Sequence, residues 1–233
     1  MGSGPEEPGA RGRRVMTEFT SLPLRTADGR PLVHKFRRRT GEAAGLLLLF
    51  PGNLYGVDGP LLFYPSAFLG ERGWDTLALT YGFQSAMGSA DGDAVSAALR
   101  EAESAVAAAL AQGPYPRLGL IGKSMGASVV AHLCATIAQL SRARAAYLTP
   151  MLGTPLFDGL FSQTQQAAFL AIGSADAFYD EDALRSLQEG RSLQVSVVDG
   201  ADHSLIVPGD LPASLCALDR VCSQVVEFLD GPS

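Results

Sequence analysis

Short apolar runs alternating with helix-length segments constrain this chain more than any other feature of its sequence. Gly45 to Phe50 (Gly-Leu-Leu-Leu-Leu-Phe) carries no polar side chain. A strand of that kind needs both faces covered, as in the middle of a parallel sheet. Thr76–Tyr81, Leu118–Ile121, Ala145–Leu148, Ala168–Ile172 and Leu193–Val198 read as further strands. Between and after them, Leu61–Arg72, Ala94–Gln112, Gly126–Leu140, Leu156–Phe161, Asp182–Gln188 and Ala213–Leu229 read as helices. Gly73 and Gly113-Pro114 supply stops, and Asp91 or Asp93 a start. Upstream, Val15–Leu24 and Leu32–Arg39 look half exposed and flank the turn signal Ala27-Asp28-Gly29-Arg30, which predicts a hairpin. The expectation is an α/β fold: a mostly parallel, doubly wound sheet with an antiparallel edge at the N-terminus. Ligands of such sheets bind outside the C-terminal ends of the strands, so residues just after strands carry the interest.

Composition narrows the classes. At 47% hydrophobic and 18% charged residues, 233 residues suit one domain with a large core, expected over 15–233. Residues 1–14, rich in Gly, Pro and charge, read as a disordered tail. The net charge of −6, without a basic stripe, speaks against nucleic-acid binding. Cys134, Cys216 and Cys222 are odd in number and lack close Cys/His spacing, which argues for free thiols rather than a disulfide framework or zinc site. The longest aliphatic run, Leu46–Phe50, is far below the ~20 residues of a membrane span. Arg13-Arg14 is followed by Val15-Met16-Thr17-Glu18 instead of an apolar signal core, and Glu6 stands where a myristoylation motif requires Ser or Thr. No membrane association and a cytoplasmic location are expected.

The chemistry gathers at Gly122-Lys123-Ser124-Met125-Gly126, a Gly-x-Ser-x-Gly sequence between a predicted strand and a predicted helix. A sharp strand-to-helix turn of this kind exposes the serine hydroxyl above the sheet in a strained backbone conformation. Small residues at both flanks let strand and helix close around it. The same turn aims the Met125 backbone N–H at a developing oxyanion.

On these residues the chain resembles the α/β-hydrolase superfamily, in particular small lidless members similar to dienelactone hydrolases and carboxylesterases, over about residues 15–230. The resemblance implies Ser124 as nucleophile, followed in chain order by an acid and a histidine. The acid it points to is Asp176, where the apolar strand ends in Gly173-Ser174-Ala175-Asp176; Asp199 and Asp202 are second choices. Asp180 and Asp182 read as loop and helix-cap residues. The base is His203, directly after the strand Leu193–Val198, whereas His34 falls in the hairpin and His132 in mid-helix. The second oxyanion donor is expected from Pro51-Gly52-Asn53-Leu54-Tyr55-Gly56, with the Asn53 N–H first and Leu54 second. Many family members have His-Gly where this chain has Pro51-Gly52.

Leu54, Tyr81, Met151 and Phe157 are candidate substrate contacts, the last two from an apolar segment (149–161) too short for a cap domain. An open site of this type suits a small or medium acyl ester or thioester as substrate. It calls for no metal or organic cofactor. A peptidase or lactonase on the same triad, and a non-catalytic binding or scaffold module of the same fold, stand as alternatives.

Overall fold

The computed structural model describes residues 17–26, 28–85 and 92–231. Eight strands form one sheet among them: β1 (Thr17–Thr20), β2 (His34–Arg39), β3 (Gly45–Phe50), β4 (Trp74–Leu79), β5 (Leu118–Lys123), β6 (Arg144–Leu148), β7 (Ala167–Gly173) and β8 (Leu193–Val198). The helices are α1 (Pro60–Glu71), α2 (Gly82–Ser85), α3 (Gly92–Leu110), α4 (Met125–Thr136), α5 (Pro155–Phe161), α6 (Glu181–Gln188) and α7 (Leu211–Asp230). The strand order is β1-β2-β4-β3-β5-β6-β7-β8. β2 runs antiparallel to β1 and β4, and all other pairs are parallel.

All six residues of β3 are buried, and their alternation explains why. Leu46, Leu48 and Phe50 enter one core layer, shared with α3, α4 and α5. Leu47 and Leu49 enter the other, shared with α1 and α7. An apolar strand thus serves two helical layers at once. The order of strands reverses between β3 and β5, so the loops after these two strands flank the crevice in which sheets of this kind place their sites.

Several expectations shift at their edges. The antiparallel pair is present, but β1 ends at Thr20 instead of Leu24. Beyond it Leu22, Leu24 and Leu32 turn inward to 4, 6 and 3% exposure, and this burial outweighs a longer ladder. Of the predicted turn, Ala27 lies outside the described residues; Gly29 N–H donates to the Thr26 carbonyl at 2.9 Å, with Gly29 at φ +85°. The predicted helix to Leu140 stops at Thr136. Ile137 is extended, and a separate 3-10 turn (Ala138–Leu140) then buries Leu140 completely. α3 begins at Gly92, so Asp93 falls within it, while Asp91 and residues 1–16 lie outside the described residues. α2 has no counterpart in the sequence reading.

Candidate active site

β5 delivers Lys123 and Ser124 to the top of the sheet, and α4 starts at Met125. Between them Ser124 has φ 54° and ψ −117°, a left-handed backbone that L-residues avoid. Its N–H donates to the Leu148 carbonyl at 2.8 Å, which fastens the turn to the end of β6. The flanking glycines are required by contact. A Cβ on Gly122 would lie 2.2 Å from the Gly126 carbonyl oxygen, and one on Gly126 would lie 2.2 Å from that of Phe50. Ser124 therefore stands on a turn that only small neighbours permit.

The turns after β7 and β8 are bound to each other. Ser174 N–H donates to Val198 O at 2.9 Å and Ala175 N–H to Ala201 O at 3.0 Å. A Cβ on Gly173 would come within 2.0 Å of Ala201 O, so the approach depends on glycine here as well. This packing carries Asp176 to the loop of His203. His203 Nδ1 is 2.8 Å from Asp176 Oδ2, and His203 Nε2 is 2.8 Å from Ser124 Oγ. The Asp176 side chain is wholly buried and that of His203 is 35% exposed. Because an ionised carboxylate only accepts, Nδ1 carries the ring proton and Nε2 accepts the serine hydroxyl. The other oxygen of Asp176 accepts the Phe178 N–H at 2.9 Å, which fixes the carboxylate plane. The Phe178 ring packs on the imidazole at 5.4 Å between centroids.

The second-choice acids are occupied elsewhere. Asp199 accepts from Ser174 Oγ at 3.1 Å. Asp202 folds its own loop by accepting the Ser204 and Ile206 N–H groups at 2.8 and 3.0 Å. Asp180 caps α6 through the Ala183 N–H, 2.9 Å away, and Asp182 sits in its first turn. His34 hydrogen-bonds the Leu22 N–H, and His132 pairs with Glu103 on α3.

The loop after β3 lies against the same turn: a Cβ on Gly52 would be 3.3 Å from Ser124 Cβ. Gln84 of α2 holds this loop, its amide donating to Gly52 O at 2.7 Å and to Asn53 O at 3.3 Å. The C=O and N–H of a trans peptide point opposite ways, so the Gly52 contact turns the Asn53 N–H away from Gln84. The Met125 N–H, at the first position of α4, has no acceptor within its helix.

The four candidate substrate contacts divide. Leu54 is 89% exposed and Met151 is half-buried. Tyr81 and Phe157 are 0% exposed, which corrects the expectation that they face a substrate. Tyr81 stacks on Phe83, and Phe157 packs against Tyr147 and Phe161 in the layer under α4 and α5. An aromatic residue just after a strand, like Tyr81, or on a short helix over the sheet, like Phe157, is as suited to closing a core as to lining a cleft, and here the core claims both.

Lys123, Gln84 and Phe178 were not anticipated. Lys123 stood in the motif as its variable position; it is 1% exposed, and its Nζ donates to the His203 carbonyl at 2.8 Å. Phe178 follows the acid by two residues, a weak signal. Gln84 belongs to a short helix that no periodicity marks.

Among the described residues no three His, Cys, Asp or Glu side chains are grouped to hold a metal ion, and no helix is long and apolar enough to cross a membrane. Cys134 and Cys222 are buried free thiols, whose burial pushes each up to about 12, and Cys216 is exposed.

Known structures share this architecture. A protein of unknown function from Agrobacterium tumefaciens, described as a putative α/β hydrolase, aligns with a TM-score of 0.67 at 16% identity, covering 92% of this chain and 95% of that one. A putative dienelactone hydrolase from Klebsiella pneumoniae gives 0.66 at 14%, covering 93% and 100%. A serine hydrolase without a lid from Xanthomonas campestris gives 0.62 at 17%, covering 99% and 100%. At these identities the likeness is one of fold. Like the last of these, the chain has no cap: residues 149–166, between β6 and β7, hold only α5. No curated protein sequence matches significantly. The profile of the α/β hydrolase domain family matches residues 67–230, a span that holds Ser124, Asp176 and His203, and the chain belongs to that family.

Proposed function

We propose that the chain is a serine hydrolase that cleaves small or medium acyl esters or thioesters through an acyl-enzyme. The observation that carries this reading is the unbroken relay from buried Asp176 through His203 to Ser124 Oγ, with both links at 2.8 Å. His203 takes the Ser124 proton as the oxygen attacks the acyl carbonyl, and Asp176 stabilises the imidazolium that forms. The backbone N–H groups of Met125 and Asn53 stabilise the oxyanion. His203 then protonates the leaving group, and water, activated by the same imidazole, releases the acyl group and restores Ser124. The strained turn and the immobilised acid support a pre-organised nucleophile. Exposed Leu54 and half-buried Met151 are left to meet the acyl chain.

The test is hydrolysis of p-nitrophenyl esters of graded chain length, alongside thioesters, by wild type and Ser124→Ala. Loss of kcat/KM by at least about a thousandfold in folded Ser124→Ala is expected. Turnover within tenfold of wild type would sink the nucleophile assignment.

A further inference from the structure

The mechanism above makes no use of Lys123, yet it is the most deeply buried cation described near the relay. Its Nζ lies 2.8 Å from the His203 carbonyl oxygen and 5.2 Å from the centroid of the Tyr55 ring. Tyr55 is itself fastened, its hydroxyl accepting the Leu61 N–H at 2.9 Å at the start of α1. One side chain therefore ties together the nucleophile turn, the histidine loop and the loop after β3. A buried ammonium is costly to desolvate, and a position kept only for packing has no need of one. Its neighbour in the chain is the nucleophile, so the residue that grips the base is rigidly registered to Ser124.

We propose that Lys123 is a positioning residue: by holding the His203 carbonyl it fixes the imidazole in line between Ser124 and Asp176. A charge-assisted hydrogen bond is stronger than a neutral one and so suits a loop that must not drift. Displacement of a reacting group by about 1 Å can cost two orders of magnitude in rate, so the grip bears on kcat more than on binding.

The grip also titrates. Burial brings the Lys123 ammonium down from 10.5 to about 8, against the opposing pull of the Asp176 and Asp202 carboxylates. These two carboxylates, the Tyr55 ring and the His203 carbonyl are the groups that face it. The ammonium is intact below pH 8 and is lost as pH rises through that value. The hold on His203 weakens in the same window.

The inference rests on the serine-hydrolase reading and is tested by kcat and KM against pH for wild type, Lys123→Met and Lys123→Gln. Wild-type kcat is expected to fall along an alkaline limb centred near pH 8. Lys123→Met, with no donor, should lose about tenfold or more in kcat at pH 7, with KM changed by less than about threefold, and should show no such limb. Lys123→Gln, a neutral donor, should recover part of the kcat and likewise lack the limb. A folded Lys123→Met enzyme with wild-type kcat, or one that keeps the limb, overturns the inference. If Lys123→Met does not fold, a wild-type profile flat from pH 7 to 9.5, or a limb surviving in Lys123→Gln, overturns it instead. Activity that persists in Ser124→Ala would condemn the hydrolase reading itself. Activity abolished in Ser124→Ala with none of the Lys123 effects would condemn the positioning role alone.

Discussion

Asp176, Asp199 and Asp202 are three carboxylates on two neighbouring loops, and what each accepts separates them. Asp176 holds the imidazole, Asp199 a serine hydroxyl and Asp202 two backbone N–H groups of its own loop. Asp176→Asn should therefore lower kcat/KM by at least about a hundredfold, since the amide cannot hold the correct imidazole tautomer. Asp199→Asn and Asp202→Asn should cost far less, and steady-state kinetics on the three variants checks the order. A second comparison concerns Phe157. As a sealed core residue it should cost about 3–5 kcal/mol of stability on Phe157→Ala. Urea unfolding would show this loss, while KM of the folded fraction stays unchanged. The sequence made Ser124, Asp176 and His203 readable because each sits just after an apolar strand, where the sheet presents its groups. It could not show that Tyr81 and Phe157 face inward, because their burial depends on which distant residues the fold packs against them. Nor could it reveal the task of Lys123, which exists only once two loops distant in sequence close over it.

At the scale of elements, all the expected strands are present, though β4 lies two residues earlier than expected, at Trp74–Leu79 instead of Thr76–Tyr81. The bounds of β3 agree with its apolar run because all six residues are buried and nothing competes with burial there, and β8, an edge strand with Gln194 and Val197 exposed, matches its alternating pattern. Edges and caps followed local competition instead. β1 stops early so that three leucines can turn inward, and α4 yields to an extended Ile137 that lets Leu140 fill the core. α2 offered too few residues for any period to register, although its Gln84 braces the loop beside Ser124. Caps give a direct test. Asp180 accepts the Ala183 N–H at the start of α6, so Asp180→Ala should cost about 1 kcal/mol in denaturant unfolding. The helix carries none of the relay, so kcat should stay within about twofold of wild type if the loss is confined to the cap.

For the molecule as a whole, one sheet with a helical layer on each face leaves its strand ends free, and the chain accepts strain and a buried cation there. Lys123 links this arrangement to global stability. Its pKa is lowered on folding from 10.5 to about 8, so between these values the unfolded chain binds more protons than the folded one. Stability from this group is then present above pH 10.5 and lost as pH falls through about 8. Measured against Lys123→Met, in which the other titrating groups cancel, wild type should gain about 3 kcal/mol between pH 7 and pH 11. Parallel unfolding free energies across that range would contradict a desolvated ammonium. The central claim, that Ser124 is a nucleophile activated by His203, is tested most directly by covalent capture. The protein is treated with a fluorophosphonate, the modified peptide is located by mass spectrometry, and the labelling rate is compared with that of His203→Ala. The account predicts one adduct per chain, on Ser124, forming at least about a hundredfold more slowly in the variant. An adduct on another residue, or equal rates in the two proteins, would contradict it.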